Sequence, residues 1–515
     1  MAAYQKRIRI EHWLLLGIVL LAVGLRVPAI DYDLPHVFHP DEPAVIRVSR
    51  EIFATGDLNP HFFDYPTLSF YANALAYTPF YLTGRLSGQF DSRSDVLPLQ
   101  TLAMGTTMAP QPAAVLLNRG VSLIMGVGTV VLLYLIGRAL YDRPDAGLIA
   151  ALLLAVSPNH VYQSRIVTPD AMVTFFIVLA FLAAALILRS DRTWPYALAG
   201  LAVGLAGGTK YNGALIALTI PAAHFLRTGL RGWRDVRLYA AGALSFLVFL
   251  LTTPYAVLDY PAFSAALRGT MGHYGTGHAG MEGDTVAWYA TFLWTTTTVA
   301  PLLAMAQIAR GIWQRSKPTL LLALYPLAYF LFISRFEVRN DRTILPLVPF
   351  VLLLAAVVLA DLLAGLRRAP RKPARVALAM LLVGLAAATV AYPAWAAVRD
   401  NRLLAREPSQ VTAANWIAAN LEPGARVAIA PYSPFIDPAV YEVVSFENLI
   451  DNPPEWFAAQ GFDYLAAGSG LYDRFLRDPA RYPDEARRYT LLFDFYELVR
   501  SFDDGLNGVR VYRVR

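Results

Sequence analysis

The sequence contains no cysteine, which excludes a disulfide framework, a thiolate metal site and a cysteine nucleophile. Charge is also scarce. Soluble domains run at roughly 25% charged residues; here Asp, Glu, Lys and Arg make up 16%, hydrophobic residues 56%, and mean hydropathy is +0.43. A chain this poor in charge and rich in Leu, Ala and Val reads as a polytopic helical membrane protein. No Walker loop, Rossmann fingerprint or G-x-S-x-G elbow stands where a strand would support it, so nucleotide-driven chemistry is not expected. Internal repeats and low-complexity tracts are absent as well.

Apolar runs are what the chain does contain. A span needs about 20 such residues, and candidates lie at 13–30, 66–85, 114–138, 145–160, 171–188, 194–209, 211–226, 238–254, 286–309, 318–334, 343–363 and 376–396. The net charge of +6 sits in short clusters between them, at Lys6/Arg7/Arg9, Arg138/Arg143, Arg189/Arg192, Arg227/Arg231/Arg234/Arg237, Arg310/Arg315/Lys317 and Arg367/Arg368/Arg371/Lys372/Arg375. That is a positive-inside distribution, not a nucleic-acid stripe. Placing every cluster in the cytoplasm makes each intervening pair of spans an outside hairpin. One conflict arises, because three apolar runs separate the first two clusters and an even number of crossings is required. Either 66–85 is re-entrant or interfacial, or 96–113 hides another crossing. The first run, Trp13 to Ile30, lacks a persuasive cleavage site and is read as a retained span. About 11 to 13 transmembrane helices follow.

After Arg399 the composition changes to that of a small α/β unit. Residues 409–420 read as an amphipathic helix capped by Ser409, and Arg426 to Ala430 as a strand after Pro423-Gly424. Residues 452–460 and 471–488 look helical, 462–467 strand-like, and 491–499 and 509–514 are expected to pair around the turn 503–508. The chain thus divides into a membrane domain, 1–397, with a prominent loop at 31–65, and an extracytoplasmic domain, 398–515.

Polar residues that are costly in lipid collect on the outside loops. His39-Pro40-Asp41-Glu42 places adjacent carboxylates at the membrane surface. Their side chains point in different directions, so one can take a proton from a hydroxyl while the other positions a partner. The alternative is a solvated pair capping a helix over 43–54. In Ser164-Arg165-Ile166-Val167-Thr168-Pro169-Asp170, Arg165 faces a phosphate and Asp170 is a site carboxylate, or the two form an ion pair that caps the next span. Lys210, in Thr209-Lys210-Tyr211-Asn212, serves an anion or snorkels to the interface. The turn holding Arg335, Glu337, Arg339, Asn340, Asp341 and Arg342 opposes the insertion bias, which asks for a compensating anion such as phosphate, or for internal pairing. His273 and His278, between glycines and followed by Glu282, suit a flexible loop covering a substrate; zinc binding is the alternative, and no other cofactor is expected.

In order, these pieces (HPDE, Tyr65-Pro66, Gly137-Arg138-Ala139-Leu140-Tyr141, Ser157-Pro158 with SRIVTPD, GTKYNG, and an Arg-rich turn before Leu345-Pro346-Leu347-Val348-Pro349) resemble the GT-C membrane glycosyltransferases. The likeness is to the dolichyl-phosphate-mannose–protein mannosyltransferase type, including bacterial aminoarabinose lipid A transferases, and covers roughly residues 10–360. It implies a GT-C-like α-helical polytopic fold in the plasma (inner) membrane. It implies an inverting transferase that moves a sugar from a polyprenyl-phosphate donor to an outside acceptor on a protein, glycan or lipid. By that resemblance Asp41 is the general base, Glu42 its neighbour, and Asp170 a second site carboxylate. Arg165, Lys210, Arg339 and Arg342 hold the donor phosphate. His39, Tyr65, Tyr211, His273 and His278 are expected to contact substrate. A transporter or lipid flippase is the rival class, but transporters often carry repeats and midplane polar groups, whereas these polar residues gather on one face.

Overall fold

The computed structural model describes residues 2–103, 106–369 and 372–514. Each apolar run is helical over most of its length, because in hydrocarbon a helix satisfies every backbone N–H and C=O within its own segment. In chain order the helices are α1 (Ala2–Arg26), α2 (Glu42–Thr55), α3 (Leu68–Leu86), α4 (Pro112–Tyr141), α5 (Pro144–Ala155), α6 (Pro158–Gln163), α7 (Pro169–Arg189), α8 (Trp194–Thr209), α9 (Thr219–Thr228) and α10 (Val236–Thr252). There follow α11 (Tyr255–Leu258), α12 (Tyr260–Thr276), α13 (Thr285–Thr297), α14 (Ala300–Trp313), α15 (Lys317–Ile333), α16 (Val348–Arg368), α17 (Lys372–Ala386) and α18 (Tyr392–Leu404). Four helical runs are long and apolar enough to cross a membrane alone: α4, α7, α16 with its lead-in from Leu345, and the run that starts at Lys372. α13 and α14 pass the same test together, bent by 107° at their junction. α5, α10 and α15 are shorter apolar helices; α5 and α15 pack against the longer α16, and α10 packs against α8.

Small residues let these helices approach closely, as expected where lipid supplies no hydrophobic drive between them. A Cβ at Gly204 of α8 would lie 2.5 Å from the Ser245 carbonyl of α10, and one at Gly137 of α4 would lie 2.4 Å from the Gly147 Cα of α5.

The basic clusters meet at one end of the bundle. Arg143 and Arg310 both pair with Asp361, Arg189 donates to the Leu140 carbonyl at 2.8 Å, and Arg227 and Arg237 share Asp191. Arg371 and the side chains of Lys6, Arg7 and Arg9 lie outside the described residues.

α3 stays at the opposite end. It lies on α2 and the first turns of α4, where Phe70 and Ala74 pack with Val45, Ile46 and Val115, and Asn118 donates to the Asn73 carbonyl. Residues 96–113 hold no crossing. They carry β2 (Gln100–Ala103) and β3 (Thr106–Met108), which join β1 (His36–Val37) in an antiparallel sheet ordered β1-β3-β2. This packing favours the interfacial alternative for 66–85.

A buried ion pair ties this end together. Glu42 and Arg119 are both fully buried, with Arg119 Nε and Nη2 donating to Glu42 Oε1 and Oε2 at 3.0 and 2.8 Å. Tyr32 Oη and the Val167 backbone N–H also donate to the carboxylate, while Arg119 Nη1 donates to the Ile30 and Tyr32 carbonyls. Burial alone would raise the Glu42 carboxyl; the Arg119 charge and the hydrogen bonds hold it below its ordinary range.

The C-terminal unit begins with α19 (Ser409–Asn420), as expected, while α18 carries the chain past residue 398 to Leu404. Its five-stranded sheet runs β5-β4-β6-β8-β7, from β4 (Arg426–Ile429), β5 (Glu442–Ser445), β6 (Tyr464–Gly468), β7 (Glu497–Asp503) and β8 (Gly508–Arg513). β4 pairs in parallel with β5 and β6, and β8 runs antiparallel to β6 and β7. The helices α20 (Pro454–Ala459), α21 (Ser469–Leu476) and α22 (Pro483–Phe495) complete it. Residues 491–495, expected as strand, finish α22 because Leu492 is buried on its helical face. β5 went unanticipated: its four residues, half-buried or exposed, show no alternation.

Arg119→Leu leaves Glu42 buried without its cation and is expected to cost about 3–5 kcal/mol, read as a lower thermal midpoint of the purified protein. The double variant Glu42→Gln/Arg119→Leu, with no charge left to bury, should recover part of that loss.

Candidate active site

Asp41 sits at the N-cap of α2, with Pro43 in the first turn, yet its side chain makes no capping hydrogen bond. It turns instead into a cavity of about 480 Å³ and pairs with the Arg342 guanidinium. Lys210, Tyr65, Tyr211 and His273 line the same cavity. Lys210 ends α8 on extended backbone and donates to Asp170 Oδ1 of the first turn of α7 at 2.7 Å. The Tyr65 ring lies 6.0 Å from the Lys210 ammonium. Neither the capping reading of Asp41 nor the snorkelling reading of Lys210 describes these side chains.

Buried polar contacts hold the cavity walls. Tyr211 Oη donates to the Phe63 carbonyl, and Asn212 donates to Tyr329 Oη, which donates to the Thr343 carbonyl at 2.8 Å. The neighbouring Asp341 receives Gln163 Nε2 on its carboxylate and Asn159 Nδ2 on its carbonyl. Arg342 is thus fixed from both sides of its turn. One flank of the cavity is apolar, formed by Leu267 and Met271 of α12 and by Phe332 and Phe336.

Burial drives His39 below its ordinary pKa against the upward pull of Glu42 and Asp41. Its neutral imidazole then accepts the Asp41 backbone N–H on Nδ1 at 3.3 Å. Burial likewise pushes Tyr65 up to about 12, so the phenol keeps its proton and remains a donor. The Asp341 carboxyl is raised by burial, with Arg342 and Gln163 pulling the other way.

Several expected site residues lie elsewhere. Glu42 is committed to Arg119 inside the core, since adjacent side chains at a helix start diverge. Arg165 is buried too. It donates to the Pro28 and Leu25 carbonyls and, at 2.6 Å, to Asn401, bracing the end of α1 against α18; it neither faces the cavity nor pairs with Asp170. Arg339 points out of the other side of its turn toward the Asp284 carbonyl. His39 stands behind Asp41 rather than on the cavity wall. The expected flexible cover is largely the helix α12, and His278 meets Arg474 of the C-terminal unit. Glu282 is engaged by Tyr482 and Arg481, and among the described residues no three His, Cys, Asp or Glu gather as a metal site.

Other residues carry weight that the sequence reading passed over. Asp64 and Tyr274 line the cavity; both sit in outside segments already singled out for their polarity. Arg119 lies inside an apolar run, where a charge must find a buried partner, and that was the signal to follow.

The sequence profile of the family described as dolichyl-phosphate-mannose-protein mannosyltransferase matches residues 114–255. No curated protein matches the chain. Among solved structures, ArnT from Cupriavidus metallidurans in the apo state is 15% identical with a TM-score of 0.55, covering 99% of this chain and 98% of that one. The same protein bound to undecaprenyl phosphate is 16% identical with a TM-score of 0.53 and covers 98% of each chain. The archaeal oligosaccharyltransferase AglB from Archaeoglobus fulgidus, in complex with an inhibitory peptide and a dolichol-phosphate, is 14% identical with a TM-score of 0.56, covering 98% of this chain and 74% of that one. The chain has the GT-C fold of these polytopic membrane enzymes, and within that fold residues 114–255 carry the mannosyltransferase-family pattern.

Proposed function

We propose that the protein is an inverting glycosyltransferase that uses a polyprenyl-phosphate-linked sugar and an acceptor hydroxyl outside the cytoplasm, with Asp41 as general base. The observation that carries this reading is the Asp41–Arg342 pair in one cavity, with Lys210 on the same wall. A base and two cations then flank a space that a sugar phosphate fits, beside an apolar flank suited to a lipid chain. The fold likeness and the matched family pattern support it, as does the undecaprenyl phosphate bound by the ArnT relative. The basic clusters lie at the far end of the bundle, and the positive-inside rule assigns that end to the cytoplasm.

In the proposed reaction the donor phosphate takes the Arg342 guanidinium, which releases the Asp41 carboxylate. The acceptor oxygen attacks the anomeric carbon as the bond to the phosphate oxygen breaks, and its electron pair leaves on the polyprenyl phosphate. The hydroxyl proton passes to Asp41. One displacement inverts the anomeric centre. Arg342 and Lys210 meet the growing phosphate charge where it develops. Asp170 keeps Lys210 charged and oriented. Tyr65, Tyr211 and His273 supply rings and polar edges for the sugar, and Arg339, His39 and His278 act from outside this cavity.

Asp41→Asn is expected to lower transfer by about 10²–10⁴-fold, the usual worth of a positioned general base, with an unchanged thermal midpoint. The measurement is incorporation of sugar into envelope material by membranes of a deletion strain that carry the variant; wild-type incorporation would remove the enzyme reading. Arg342→Ala loses a charge-assisted phosphate contact worth about 1.5–3 kcal/mol, so polyprenyl phosphate should bind roughly ten- to a hundredfold more weakly. Unchanged lipid binding would place the phosphate in another cavity.

A further inference from the structure

A second cavity, of about 450 Å³, opens where the C-terminal unit meets the walls of the first. Both walls are shared. The turn 335–342 sends Arg342 into the first cavity and Arg339 into the second, while the last turn of α12 sends His273 and Tyr274 into the first and the segment after it sends Gly280 and Glu282 into the second. We propose that this second cavity seats the acceptor and that the acceptor is a hydroxyl-rich saccharide chain. The inference rests on the transferase reading above and names the substrate class of its second reactant.

The cavity is a built feature. Tyr482 Oη accepts the Gly280 N–H at 2.9 Å and donates to Glu282 at 2.7 Å, and Arg474 donates to the Tyr432 hydroxyl at 2.5 Å. Gly280 has φ +81°, and a Cβ there would meet the Arg474 side chain at 2.7 Å, so the loop lies directly on the C-terminal unit. These contacts use up Glu282 and Arg474. Other lining groups stay open to a ligand. The one hydrogen bond described for the Arg339 guanidinium goes to the Asp284 carbonyl at 3.3 Å; among the described residues neither it nor the Asn507 side-chain amide has a carboxylate partner.

The lining selects a ligand class. Arg339 and Asp478 stand beside the Arg477–Asp473 ion pair (2.6 Å), and Leu506 is the single aliphatic side chain. An acyl chain or apolar peptide would strip water from these charges and return nothing. A polyanion would face the carboxylates, and a polycation the guanidiniums. Sugar hydroxyls both donate and accept, so a saccharide satisfies both signs of charge along one chain. Its reacting end would then pass along the shared turn toward Asp41, on the side away from the apolar flank.

The test uses a strain deleted for the protein and complemented with the full-length chain, with envelope saccharides, proteins and lipids compared by mass spectrometry. Wild type should restore a glycosyl residue to a pre-existing saccharide. Arg339→Ala and Asn507→Ala should restore less than about a tenth as much at low expression and gain with overexpression, the mark of weakened acceptor binding. Both purified variants should keep the wild-type thermal midpoint and the same co-purified lipid. Full restoration by both variants overturns the acceptor site, and restoration of a sugar to a protein or lipid that bears no saccharide overturns the ligand class. If deletion removes no glycosyl residue, the transferase reading fails instead.

Discussion

The Glu42–Arg119 pair is the constraint on which the site end of this protein depends. It joins the loop after α1, the start of α2, the first turns of the apolar α4 and the turn ahead of α7 in one dry contact. A charge inside a membrane helix persists only with a matched partner, so the two residues locate each other. Because Glu42 is pinned inward, Asp41 one residue earlier must point elsewhere, and it points at Arg342. The anchoring carboxylate and the one that faces the cavity are neighbours in sequence.

Charge in the first cavity is balanced before any ligand arrives. Arg342 rests on Asp41 and Lys210 on Asp170. A phosphate entering such a site exchanges partners rather than meeting bare cations, which keeps the empty site from carrying a large buried charge. In the proposed reaction the same exchange would free Asp41 once the donor is in place, coupling proton abstraction to occupancy. The polar chain Asn212–Tyr329–Thr343 beneath the turn holds Arg342 to that geometry.

The C-terminal unit enters through the segment after α12. Tyr482, Arg474 and Arg481 grip the loop whose helix forms one flank of the first cavity. Motion of the unit would therefore be felt at His273 and Tyr274.

Apolar periodicity and the spacing of basic clusters by themselves determined a polytopic helical bundle, its helix positions and the sorting of polar loops from basic ones, because lipid leaves a backbone few options. The α19 helix, the β7–β8 hairpin and the polar segments that hold Asp41, Asp170, Lys210 and Arg342 were legible for the same reason: costly residues in an apolar chain stand out. The tertiary structure alone decided which way those side chains face. Glu42 and Arg165 look like site residues in sequence but went to the core, and Arg339 went to a second cavity, because their partners Arg119, Asn401 and Asp284 lie 77, 236 and 55 positions away. It also decided that α3 packs along α2 and the first turns of α4. Pairings across such distances follow from packing, and a linear pattern carries no record of them.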